Sequence, residues 1–150
     1  MQDGGFLFQN ALTPRVQLES LVDFAVRVRG YKRLAVLSPK NLFGRDMTQQ
    51  FWQLAEAAGA KIVGYGEYPE GEKDFQAVLQ NFLGLNPKFR KFEMARLGEW
   101  AKEVKLKTGK EPKKLRLVPI ADYDALFIPD SPKTVATIVA GLAYLDSPKI

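Results

Sequence analysis

The sequence predicts an α/β protein built on a doubly wound, mostly parallel sheet with helices on both faces. Three observations carry that expectation. Residues 32–38 are a short apolar run after the turn residue Gly30, and a helical pattern follows as far as Gly59. Residues 60–65 form a second such run. A third, residues 123–128, is again followed by a helical pattern. Strands joined by helices of this length are the crossover units of a parallel sheet, right-handed in nearly all cases. Strand and helix in alternation mark the α/β class.

The elements follow in order. Phe6, Leu7, Phe8 and Gln9 read as a short extended run. Thr13 and Pro14 mark a helix start, with Thr as N-cap and Pro at the first helical position. Val16, Leu18, Leu21, Val22, Phe24, Ala25 and Val28 then recur at helical spacing. After the first strand, residues 38–45 read as a loop opening a helix over 46–58, with Met47, Phe51, Leu54, Ala55 and Ala58 in period. Asp74 is a good N-cap for a helix over 75–83 that turns Val78, Leu79 and Phe82 inward. Asn86 and Pro87 break the chain. Residues 89–107 read as a longer basic amphipathic helix with Phe92, Leu97, Trp100, Val104 and Leu106, and residues 108–114 as a solvated loop. Residues 123–128 read as a buried strand, and Ser131 caps the next helix, with Pro132 in its first turn, to about Leu145. Ser147, Pro148, Lys149 and Ile150 look like the start of another strand. The whole, residues 1–150, is therefore expected to be a single α/β lobe excised from a longer protein. A strand order of second, first, third, fourth places the switch point between the strands of Leu34 and Leu126. The loops 39–45 and 129–133 would then flank the ligand crevice.

The composition narrows the chemistry. A chain of 150 residues can bury a sizeable core as one domain. No apolar run approaches the roughly 20 residues of a membrane span, and residues 1–5 lack the basic start and apolar stretch of a signal peptide. The absence of cysteine removes disulfides, thiol catalysis and thiolate metal sites. The absence of histidine removes the commonest general base and the commonest metal ligand. The formal charge of +5 is concentrated: over residues 86–122, eleven basic residues stand against five acidic ones. The remainder is close to neutral, so the global basic character of a nucleic-acid binder is missing. This segment reads as a basic helical and loop insertion.

Candidate motifs are few. The run from Gly64 to Pro69 superficially resembles a dinucleotide fingerprint, but its third glycine is absent and no helix begins at once. No phosphate-loop lysine motif and no nucleophile elbow occur, so no cofactor is expected and an enzyme of flavodoxin-like build is the weakest reading. Asp122 and Asp124 straddle Tyr123 at a strand start, where such pairs are usually solvated rather than metal-bound. Asp130 and Ser131 lie at a helix N-terminus, whose partial positive charge and free N–H groups suit either capping or a polar ligand. Phe43, beside Gly44 at a helix start, is either packed or ligand-facing. No residue stands out as catalytic.

Three segments together resemble a known family. They are Leu42-Phe43-Gly44-Arg45 after the first strand, Gly71 to Phe75 after the second, and Tyr123 to Asp130 at the third. In order and spacing they are similar to the C-terminal lobe of type I periplasmic binding proteins, a Rossmann-like lobe. The nearest subset is the Leu/Ile/Val-binding group and the related penicillin-binding-protein activator lipoproteins. Residues 6–13 resemble the crossing from the first lobe into the second. The resemblance covers most of residues 5–85 and 123–150. It implies a non-enzymatic periplasmic or cell-envelope receptor, with no cofactor, whose two lobes close on a small ligand such as an amino acid. It implies that Phe43 occupies the place of an aromatic, often Tyr, that faces the ligand, and that the loop of Asp130 and Ser131 contributes contacts. The first lobe of the parent chain is then the obligatory partner. The basic insertion is longer than in simple transport receptors and is more like the activator-type lipoproteins. That implies an alternative role: regulating a cell-wall synthase through protein contacts in the envelope.

Overall fold

In a computed structural model, residues 13–112 and 117–146 are described. Five α-helices, one π-helical turn and three strands follow in the order α1 (Pro14–Asp23), a π turn (Phe24–Val28), β1 (Arg33–Pro39), α2 (Leu42–Ala57), β2 (Lys61–Tyr68), α3 (Gln76–Phe82), α4 (Lys91–Thr108), β3 (Ala125–Phe127) and α5 (Pro132–Asp146). The strands form one parallel sheet in the order β2-β1-β3. That is the expected second-first-third order, and the chain is an α/β lobe. The extended run at residues 6–9, the strand at 147–150 and the cations Lys113, Lys114 and Arg116 lie outside the described residues.

β1 is the central strand, and Leu34 to Pro39 are all buried. Its two faces feed two separate cores. Leu34 and Val36 pack with Leu18 and Val22 of α1, Phe51 and Ala55 of α2, and Ala60. Phe127 of β3 stacks on Phe51 there, with ring centroids 4.2 Å apart. Leu37 packs on the opposite face with Tyr68, Phe75, Leu79 of α3 and Ile138 of α5. Helices α1 and α2 therefore cover one face, and α3 and α5 the other. The alternation of apolar residues along a strand that is buried on both sides produces this division.

Several boundaries differ from expectation. Helix α2 begins at Leu42, four residues early, because the Asn41 side chain accepts a 2.7 Å hydrogen bond from the Gly44 N–H and caps it. Strand β2 runs on to Tyr68, so the glycine run from Gly64 to Tyr68 is strand and not a phosphate loop. Gly66 is there for space: Phe82 of α3 lies where its Cβ would be, at 2.8 Å. β3 is shorter than expected and only half-buried at each residue, because it pairs with β1 along three residues. Thr13, Gly59, Ser131 and Pro132 mark helix ends as expected. Asp74 accepts from the Gln76 N–H at the start of α3.

Helix α4 lies close to its expected bounds and is solvated. It carries no buried residue, and Phe92 and Leu106 are 76% and 88% exposed. Its apolar residues remain largely in solvent. α1 shows the same effect more mildly: Leu18 and Val22 are buried, whereas Val16, Leu21, Phe24 and Val28 are exposed.

Candidate functional site

A parallel sheet delivers every strand's following loop to one edge. β1 ends at Pro39, β2 at Tyr68 and β3 at Phe127, so the segments 40–43, 69–72 and 128–131 gather at the carboxyl end. Backbone and side-chain bonds tie them together. The Lys40 N–H donates to the Tyr68 carbonyl at 2.8 Å. The Asn41 Nδ2 donates to Glu70 at 3.0 Å, so one asparagine both caps α2 and holds the loop after β2.

The sequence-predicted residues all reach this edge. Phe43 sits in the first turn of α2 and is 54% exposed. It is not core packing, and its ring is free to meet a ligand or a facing wall. Asp130 and Ser131 follow β3 and open α5. Asp130 Oδ2 accepts from the Tyr68 hydroxyl at 2.7 Å, and its Oδ1 accepts from the Ser131 N–H at 2.6 Å. The Ser131 Oγ accepts from the Thr134 N–H at 3.3 Å and lies 3.0 Å from the Thr134 hydroxyl. Both carboxylate oxygens of Asp130 are thus engaged within the chain, and Ser131 acts as a helix cap.

Tyr68 is the residue that the sequence did not single out. It is 2% exposed and stands edge-on to Phe75, ring centroids 5.0 Å apart. Burial first, and then the hydrogen bond to Asp130, push its phenol well above the ordinary tyrosine range. It therefore remains a proton donor throughout the ordinary pH range. Its position at the end of a glycine-containing run, which failed as a nucleotide motif, hid it. Only its hydrogen bond to Asp130, reaching across the end of β1, shows that Tyr68 meets the loop after β3.

The Asp122 and Asp124 pair has a structural role. Asp124 accepts from the backbone N–H groups of Lys32 and Arg33, both at 2.9 Å, and from the Arg33 guanidinium at 3.2 Å. Asp122 pairs with the same guanidinium. The two backbone bonds, Arg33 first, hold the Asp124 carboxyl below its ordinary value of 3.8. The pair ties β3 to the start of β1, at the end of the sheet remote from Phe43. Among the described residues no cluster of three or more His, Cys, Asp or Glu side chains is arranged to hold a metal. No helix among them is long and apolar enough to cross a membrane.

Two cavities are separate from the predicted residues, the first of them reaching Pro69 and Glu72 of the carboxyl edge. One, about 690 Å³, is floored by Gly64 and Gly66 of β2 and walled by Val78 and Phe82 of α3 and by Ile120 and Tyr123. The other, about 480 Å³, lies along α4 between Trp100, Leu97 and Val118. Phe43, Asp130 and Ser131 line neither.

Comparison with known proteins agrees with this architecture. No curated protein matches the sequence. Among solved structures, one assigned as a branched-chain amino acid ABC transporter from Rhodospirillum rubrum aligns over 93% of this chain and 30% of its own, at 15% identity and TM-score 0.54. An ABC transporter substrate-binding protein from Sphaerobacter thermophilus aligns over 43% of this chain and 17% of its own, at 28% identity and TM-score 0.41. A periplasmic binding protein from Burkholderia mallei aligns over 47% of this chain and 19% of its own, at 23% identity and TM-score 0.41. The chain thus spans less than a third of the length of each of these structures. The family described as periplasmic binding protein matches residues 2–108, so by both its sequence and its β2-β1-β3 lobe this chain belongs to the periplasmic binding protein family.

Proposed function

We propose that this chain is a non-enzymatic ligand-binding lobe of a periplasmic-binding-protein-like receptor, working in the periplasm or cell envelope on a small polar ligand such as an amino acid. One observation carries the reading. The adjacent parallel strands β1 and β3 deliver Phe43 and the Asp130–Ser131 loop to the same carboxyl edge, where ligands of open α/β sheets bind. Phe43 would supply an apolar wall, and the first turns of α2 and α5 would supply backbone N–H groups. Asp130 would serve by holding the loop, since Tyr68 and the Ser131 N–H occupy both its oxygens. The second wall of the crevice would come from a first lobe in the parent protein.

The test is a titration of isotope-labelled protein with leucine, isoleucine and valine, followed by amide chemical shifts. Shifts confined to residues 41–45 and 130–135 are the expected outcome. Shifts elsewhere, or none at saturating amino acid, would overturn the site.

A second reading follows from α4, whose exposed apolar and basic surface suits a protein partner. In this reading the module regulates an envelope cell-wall synthase, and small-ligand binding has been lost. Capture from envelope extracts with and without residues 86–122 separates the two. A partner lost on deletion favours regulation, and unchanged capture together with amino-acid binding favours transport.

A further inference from the structure

We infer that a second copy of this chain docks its helix α4 into the cavity beside β2 and α3, so that two copies exchange basic helices across a two-fold axis.

The helix presents an unmet surface. Lys91, Phe92, Ala95, Lys102 and Leu106 recur at spacings that place them along one side of α4. All are exposed, and Glu99 is the one acidic residue interrupting the stripe. The cations of the arm outnumber its anions. Arg90 pairs with Glu93, Lys105 with Glu111 and Lys107 with Glu103. Among the described residues, Lys91 and Lys102 are in no ion pair. An exposed helix side that is both apolar and basic suits a covering partner of opposite charge.

The cavity is complementary in both respects. Its floor is β2 at Gly64 and Gly66, with the Phe82 ring packed over Gly66. Val78 and Phe82 give it an apolar wall. Among the described residues its charged rim is acidic: Glu67, Glu72 and Asp122 line it. Asp122 is neutralised by Arg33. Glu67 accepts from the Tyr65 hydroxyl and Glu72 from the N–H groups of Lys73 and Asp74, and neither is in an ion pair among the described residues. At about 690 Å³ the cavity has room for large side chains such as Phe92 and Leu106. Helix and cavity belong to the same chain, so docking about a two-fold axis would cover both surfaces of each copy. Charge complementarity of this kind sets partner choice and association rate, and it is weakened by salt.

The test is sedimentation equilibrium of the full chain and of two charge-reversed variants. The wild-type protein is expected to dimerise, more weakly at high salt. Lys91→Glu with Lys102→Glu and, separately, Glu67→Lys with Glu72→Lys should each weaken the dimer by at least about tenfold. Mixing the two variants pairs an acidic helix with a basic cavity and the reverse, so the mixture should regain dimer. Circular dichroism of each variant checks that the fold is kept, and Phe92→Asp with Leu106→Asp, which alters only the exposed side of α4, should be monomeric. A wild-type protein that is monomeric at every concentration would overturn the proposal. So would a mixture that stays monomeric, or a dimer indifferent to all three variants.

Discussion

Tyr68 shows how much one side chain can organise. It is buried in the core beneath α3 and α5, yet its hydroxyl emerges to hold Asp130, which in turn holds the N–H of Ser131. Tyr68→Phe keeps the ring and loses the hydroxyl. Asp130 is partly exposed and can turn to water, so the expected loss is about 1 kcal/mol of stability in denaturant melts. An unchanged midpoint would show that the contact contributes nothing. Asp124 offers a pH-dependent counterpart. Its carboxyl is held below 3.8 by hydrogen bonds that exist only in the folded state. The stabilisation is therefore complete above the unfolded value and disappears as pH falls through the lowered one. Thermal melts of the wild type and Asp124→Ala should differ most at neutral pH and converge at strong acid. A difference that stays constant into acid would assign the effect to packing rather than to charge.

At the scale of elements, the helices differ in what their glycines do. Gly44 lies in the first turn of α2 over the end of β1. A Cβ there would collide with the Pro39 carbonyl oxygen and stand 2.6 Å from the Ser38 Oγ. Gly44→Ala should destabilise by about 2 kcal/mol, as over-packing does. Gly98 lies within α4 with nothing within 4 Å of its would-be Cβ. Gly98→Ala should stabilise the protein by roughly 0.5–1 kcal/mol through helix propensity alone. Thermal melts of the pair compare the two directly, and equal effects would contradict this account of α2. Much of this level was legible. The Thr13 and Ser131 caps, the Gly59 stop and the 3.6-residue period of α2 act locally, and the structure reproduces them. The start of α2 was not, because Asn41 follows Pro39 and Lys40 in a stretch that reads as loop until its side chain is seen on the Gly44 N–H.

At the scale of the molecule, the proposed function makes the carboxyl edge one wall of a cleft. A ligand held by one wall keeps about half its surface in water and forgoes the contacts made on closure, while the cost of immobilising it remains. Calorimetry on this chain with leucine, isoleucine or valine should show dissociation constants no tighter than roughly millimolar. The ring of Phe43, lacking a hydroxyl, adds no hydrogen bond to offset this. A micromolar constant would show that this lobe carries the whole site.

The sequence by itself determined the class of fold, the order of the three described strands and the sheet edge at which the site is proposed. Those follow from periodicity and from the rule that parallel strands need helical crossovers, both of which are local or topological. The positions of Phe43, Asp130 and Ser131 at that edge were legible for the same reason: each follows a recognisable strand. Only the tertiary structure decided what their neighbours are. Nothing in the order of residues announces that Tyr68 meets Asp130, or that Arg33 gathers Asp122 and Asp124, because those contacts join positions 62 to 91 residues apart. The structure also decided that the apolar face of α4 is exposed. A period of 3.6 shows that a helix has an apolar side, but whether that side is buried depends on what the rest of the fold places against it.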